Sequence, residues 1–143
     1  MSYAIFEALP DQHLMALCIY GEARNQGLDG MLAVGSVIMN RAKNPSWWGG
    51  DIKSVILKPQ QFSCFNTDDP NFPQLVKMAG NFDEYLKESG VLRACNLIAR
   101  GVIEGHLISN VGSATHYHTR QVKPSWGEKM QKLTAVGDHV FYA

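Results

Sequence analysis

The sequence predicts a mainly α, α+β fold: a helical body followed by a small antiparallel β element near the C-terminus. Three observations predict it. Leu14, Leu17, Cys18 and Gly21 recur at i, i+3, i+4 and i+7, and the stretch from Leu28 to Lys43 is apolar on nearly every side, interrupted only by residues such as Ser36 and Asn40. Val91, Leu92, Cys95, Ile98, Ala99 and Val102 repeat the helical stripe later in the chain. After Gly112 the pattern changes. Residues 114–118 (ATHYH) and 138–142 (DHVFY) alternate and are rich in β-formers, which reads as a short antiparallel pair.

The elements follow in order. Residues 1–10 read as a short lead-in, with Ile5, Phe6 and Leu9 turned to the core, and Asp11 after Pro10 is suited to cap the first long helix. Gly27 and Gly30 mark the start of the second, where Asp29 suits the positive helix end. Asn44-Pro45 ends it, because a residue before proline disfavours helical dihedrals. Trp47 and Trp48 share a loop. One is expected to pack inward with the other over it, and a sugar-stacking role is open to them. Asp51 caps a short helix to Leu57 that turns Ile52, Val55 and Ile56 inward. Gln60 to Asn66 is an irregular polar-aromatic segment, and residues 67–73 are loop. One helix or a pair covers Gln74 to Val102, broken at Gly80-Asn81 and broken or bent at Gly90. Residues 119–137 form a long excursion carrying Trp126 and four basic residues, Arg120, Lys123, Lys129 and Lys132.

With 143 residues, the chain is long enough for one domain with a real core, expected to span 1–143. Thirteen basic residues balance thirteen acidic ones without a basic run, which argues against nucleic acid as a partner. No stretch is apolar enough to span a bilayer, so no membrane partner is expected. The opening residues MSYAIFEALPDQ lack a basic n-region and do not read as a secretory signal. Cys18, Cys64 and Cys95 are odd in number and widely spaced. They form neither a disulfide framework nor a zinc spacing, and they suit folding in a reducing compartment.

One carboxylate stands out. Glu22 lies four residues after Cys18, on the apolar face of the first long helix and at its end. A carboxyl on such a face is partly desolvated, which favours its protonated form, and a carboxylic acid that holds its proton can give it to a leaving group. The alternative is a buried ion pair with Arg24 or Arg41.

Three ordered blocks then carry a resemblance. The first is Tyr20-Gly21-Glu22-Ala23-Arg24 followed by Gly30, Ala33-Val34 and Asn40-Arg41. The second is Gln61-Phe62-Ser63. The third is Ala114-Thr115-His116-Tyr117 with Gly137-Asp138-His139-Val140-Phe141-Tyr142. In these the chain resembles the SleB-type cell wall hydrolase family, the catalytic domain of spore-cortex-lytic enzymes and many phage lysins. The resemblance implies a lysozyme-like helical fold and cleavage of the β-1,4 bond between N-acetylmuramic acid and N-acetylglucosamine in peptidoglycan glycan strands. It places the catalytic acid at Glu22 and the walls of the glycan groove at Gln61-Phe62-Ser63 and Thr115-His116-Tyr117. Tyr20, Ser63 and Tyr117 are candidates for hydrogen bonds to an acetamido group or to developing charge. Two departures stand out. Asn25-Gln26 replace the family's usual Gly-Glu, and His118 replaces the second of two tyrosines.

Most glycosidases flank the scissile bond with two carboxylates. No convincing second one is found among Asp29, Asp51, Asp68 and Asp69. A single acid suffices for lytic transglycosylation, in which Glu22 acts first as acid and then as base toward the muramoyl C6 hydroxyl, leaving a 1,6-anhydro end. Hydrolysis by a placed water stays open. His116, His118, His139 and Asp138 raise a zinc amidase or peptidase reading, but without a firm third ligand, so no metal or cofactor is expected. His13 and His106 read as surface residues. A non-catalytic glycan-binding module is the remaining alternative. The expected setting is a monomeric phage endolysin made in the cytoplasm, released to the wall by a holin or carried in a virion.

Overall fold

The computed structural model describes residues 3–143. Its order is α1 (Ala4–Glu7), α2 (Asp11–Ala23), α3 (Gly27–Lys43), α4 (Ile52–Leu57), a 3-10 turn (Ser63–Phe65), α5 (Phe72–Gly80), α6 (Phe82–Glu88), α7 (Gly90–Ile103), β1 (His116–Thr119), β2 (Lys132–Val136) and β3 (His139–Tyr142). The mainly helical body with a C-terminal antiparallel element is as expected.

Helix α2 lies at the centre, packed on α7 and α3 and flanked by α4 and α5. Every residue from Leu14 to Ile19 is buried, so the helix is enclosed rather than one-faced as its stripe suggests. Pro10 occupies the N-cap, and Asp11 stands inside the first turn without a capping bond, where its charge still meets the positive helix end. The lead-in is itself a helical turn whose Phe6 packs edge-on against Phe65 and Phe72, at 5.1 and 6.0 Å. His13 is half-buried rather than on the surface, stacked on Phe82 at 4.0 Å.

Helix α3 resolves its polar interruptions by hydrogen bonding. Ser36 Oγ donates to the Leu32 carbonyl at 2.7 Å. Asn40 Nδ2 donates to the carbonyls of Gly112 and Ala114, both at 2.9 Å, and Arg41 Nε to that of Thr115 at 2.7 Å. The end of α3 thus holds the strand-entry segment by its backbone. Helix α4 begins with a reciprocal cap between Asp51 and Ser54. The stretch 74–102 resolves into three helices. Gly90 opens α7 after a Ser89 cap, rather than bending a longer helix.

The sheet has three strands in the order β1-β3-β2, all antiparallel. His116 pairs with Tyr142 and Thr119 with His139, the pairing the alternation predicts. The additional strand is β2, inside the excursion: its first two residues are exposed, so it carries little of the inward-facing signal. Phe141, fully buried on β3, packs with Ala33 and Val37 of α3 and with Val111 and Ala114.

Candidate active site

Glu22 sits in the last turn of α2, partly exposed, at the wall of a cleft of about 440 Å³. Gln60, Gln61, Phe62 and Ser63 form one side of it, His116 and Tyr117 of β1 another, and Arg41, Trp47 and Trp126 complete the lining. Glu22 is the one carboxylate among these residues. A more apolar hollow of about 420 Å³ at the C-terminal end of α7 also contains a carboxylate, but that group, Glu104, is engaged with Arg100 at 3.3 Å.

Two donors hold Glu22. The Tyr117 hydroxyl donates to Oε1 at 2.5 Å, and the Cys64 backbone N–H donates to Oε2 at 3.4 Å. The ion-pair alternative fails: among the described residues no cation lies within 4.0 Å of Glu22. Arg24 instead donates to Asn71 Oδ1 at 2.8 Å and lies over the Tyr20 ring. Arg41 is buried between Trp48 and Phe62, with Nη1 3.4 Å from Gln61 Oε1. Burial pushes its guanidinium down from its ordinary value, without approaching neutrality at working pH.

The supports of this pair are specific. Tyr117 stacks on Phe141 at 5.3 Å and meets the edge of His139 at 4.9 Å. Burial first, then the charge of Glu22, push its phenol well above the ordinary tyrosine value, so it remains a donor. His139 is buried with Nδ1 unpartnered among the described residues, and burial lowers its pKa, keeping the ring neutral. Burial, then the charge of Arg41, lower His116 likewise. On the other side, Gly21 lets α2 lie directly against the 3-10 turn: a Cβ there would stand 2.6 Å from Cys64 Sγ. The Cys64 thiol is pushed up, by its hydrogen bond to Cys18 and then by burial. Burial raises Cys18 as well, so both are inert thiols.

Of the groove residues expected from sequence, the structure brings Gln61, Phe62, Ser63, His116 and Tyr117 together around Glu22. It does not bring Tyr20 or Thr115 to the lining. Tyr20 packs against the main core, and Thr115 serves the framework: its carbonyl accepts from Arg41 and its Oγ1 lies 3.0 Å from His116 Nδ1. Sequence reasoning left Arg41, Gln60 and Trp126 out of the site. Gln60 alone carries a local mark, a left-handed backbone at φ 68° that a non-glycine residue rarely adopts. The zinc candidates do not converge: among the described residues no three His, Cys, Asp or Glu side chains are grouped to hold a metal. His118 is committed to the Thr119 carbonyl and the Tyr142 hydroxyl.

The family model described as Cell Wall Hydrolase matches residues 25–142, most of the chain. The chain belongs to this cell wall hydrolase family. The match begins just after Glu22 and takes in the second and third sequence blocks. The chain is also 40% identical over 54 residues to spore cortex-lytic enzymes of Oceanobacillus iheyensis and Halalkalibacterium halodurans. That alignment covers 38% of this chain and 19% and 16% of those proteins, so the chain matches less than a fifth of their length. In fold it is similar to the catalytic domain of the germination-specific lytic transglycosylase SleB from Bacillus anthracis, with a TM-score of 0.66, 22% identity, and 93% of each chain covered. The catalytic domain of the Bacillus cereus SleB protein gives a TM-score of 0.67 at 22% identity, over 93% of this chain and 89% of that one.

The departure at Asn25-Gln26 has a structural counterpart in this member of the family. Gln26 clips the α2–α3 corner to the β2–β3 turn: Nε2 donates to Asp138 Oδ2 at 3.1 Å, and Oε1 accepts from the Asp138 N–H at 2.9 Å. Gly137, at φ +56°, leaves room for this contact, since a Cβ there would overlap Gln26 Oε1. A glutamate at 26 would set two carboxylates face to face.

Proposed function

We propose that this chain cleaves the β-1,4 bond between N-acetylmuramic acid and N-acetylglucosamine as a lytic transglycosylase, with Glu22 as its single acid and base. One observation carries the reading: among the described residues Glu22 is the only carboxylate lining the cleft, hydrogen-bonded by a phenol and paired with no cation. The protonated Glu22 gives its proton to the glycosidic oxygen as the C1–O bond breaks. The carboxylate so formed accepts hydrogen bonds from the Tyr117 hydroxyl and the Cys64 N–H. It then takes the proton of the muramoyl C6 hydroxyl while that oxygen closes on C1. The products are a free N-acetylglucosamine 4-hydroxyl and a 1,6-anhydromuramoyl end. No water is consumed, and Glu22 is protonated again.

The test is digestion of purified sacculi followed by mass spectrometry of the muropeptides. Anhydro ends, lighter by one water than the hydrolysis products, are expected. Reducing ends would replace this mechanism with hydrolysis. Glu22→Gln should abolish cleavage while the protein still binds glycan, and retained cleavage would remove Glu22 from the chemistry. The three buried, unpaired thiols suit folding in a reducing compartment before action on the wall, which supports a phage lysin as the setting. Lysis of a host expressing the chain only when a holin is co-expressed would support that route.

A further inference from the structure

We propose that Trp47 and Trp126, with His116 between them, form a saccharide-stacking subsite that holds a hexosamine ring of the glycan strand apart from the contacts of Glu22. The proposal rests on the glycan-cleaving reading above. The two indoles come from distant segments, the loop between α3 and α4 and the excursion between β1 and β2, yet both line the cleft that contains Glu22. The His116 ring stands 6.2 Å from Trp47 and 5.0 Å from Trp126.

Each indole is fixed from behind. Trp47 meets Trp48 edge-on at 5.5 Å, and Trp48 is anchored by Nε1 donating to the Arg41 carbonyl at 3.0 Å. Trp126 packs edge-on against Tyr142 at 5.2 Å, and the Tyr142 hydroxyl lies 2.9 Å from His118 Nε2. Trp47 is nonetheless 54% exposed, so a large aromatic surface stands at the cleft mouth instead of contributing to the core. Neither indole N–H of this pair has an acceptor among the described residues, whereas that of Trp48 has two.

A pyranose ring matches such a surface. Its C–H face covers an aromatic ring while its hydroxyls stay at the edge, within reach of the amides of Gln60 and Gln61 that line the same cleft. The arrangement also gives the excursion a purpose: it delivers Trp126 to the glycan.

The test uses Glu22→Gln protein, titrated by calorimetry with chitohexaose and with purified glycan strands. Trp47→Ala and Trp126→Ala in that background should each weaken binding roughly three- to tenfold. Trp47→Phe, which keeps a ring, should restore most of the affinity, and thermal melts of the Trp47 variants should match the parent. Unchanged affinity in both alanine variants, or no binding by the parent, would overturn the subsite. Wild-type cleavage of sacculi is measured alongside. Cleavage with unaltered binding in the variants removes the subsite alone, whereas intact sacculi remove the glycan reading and the subsite with it.

Discussion

Replacing Tyr117 with phenylalanine removes one oxygen and leaves its surroundings in place. The ring keeps its stacking on Phe141 and its edge contact with His139. What disappears is the 2.5 Å hydrogen bond to Glu22 Oε1. A hydrogen bond to a charged group contributes about 1.5–3 kcal/mol, equivalent to roughly ten- to hundredfold in rate. In the proposed mechanism the carboxylate forms only as the proton leaves, so the bond strengthens along the reaction, and its loss should appear in the cleavage rate. The assay is the initial rate of muropeptide release from sacculi, read beside a thermal melt. A rate within about threefold of wild type would show that the phenol takes no part. A rate loss accompanied by collapse of the melt would make Tyr117 a framework residue instead. The pH dependence adds a second reading. The folded phenol titrates above the ordinary value of 10.0, so its stabilising effect is intact below pH 10 and lost as the pH rises beyond it. The phenylalanine variant should show a shallower alkaline decline, not a flat one, because the buried Cys18, Cys64 and Cys95 thiols are raised as well.

Gly21→Ala drives a methyl group against Cys64, whose N–H holds Glu22, and should destabilise the fold by about 1–3 kcal/mol while lowering activity. An unchanged melting temperature would contradict the close approach of α2 to the 3-10 turn. Gln26→Glu replaces the amide donor facing Asp138 with a second carboxylate. The expected loss is about 1–2 kcal/mol, partly restored by salt, and a melt insensitive to ionic strength would count against it. His139 titrates below its ordinary value of 6.5 in the folded chain, so its stabilising effect is present above pH 6.5 and lost on acidification through the lowered folded value. His139→Phe should therefore flatten the fall in stability between neutral and mildly acidic pH. Because His116 shifts the same way, the slope should shrink rather than vanish.

The long helices were legible because burial imposes a period on their residues. The β1–β3 pairing was legible because both segments are rich in β-formers at the end of a helical chain, even though neither strand alternates in burial. Strand β2 was not, since an edge strand whose first two residues face solvent carries no inward pattern. At the site, Glu22 was legible as a carboxylate on an apolar helix face, whereas Gln61, Ser63 and Tyr117 were placed in the groove by the family resemblance. Arg41 belongs to the first sequence block and was given one role from sequence, a possible ion pair with Glu22. Its actual commitments are to the Thr115 carbonyl and the Gln61 amide, contacts 74 and 20 residues away in sequence, and no local pattern announces a cation held by backbone and amide oxygens. Trp126 was hidden for a similar reason: its neighbours His116 and Tyr142 come from two different strands. Tyr20, expected from sequence as a candidate for a hydrogen bond to an acetamido group or developing charge, is not among the cleft lining: it packs against the main core with Arg24 over its ring.

A cleft with one carboxylate bears on the choice between water and an internal nucleophile. Attack by water from the far side of the sugar needs a base there, and in two-carboxylate glycosidases the second group supplies it. Here the other lining groups are amides, two hydroxyls, aromatic rings, a guanidinium and the His116 imidazole, whose basicity burial first and then Arg41 reduce, and none of them is a second carboxylate. The muramoyl C6 hydroxyl is already tethered to the reacting ring, and tethering of this kind replaces a bimolecular encounter with an intramolecular one. The base it needs is the group that has just lost its proton. In the proposed mechanism, the hydrogen bonds that Tyr117 and the Cys64 N–H give to Glu22 would hold the carboxylate in place between the two transfers, so that the oxygens releasing the first proton would receive the second.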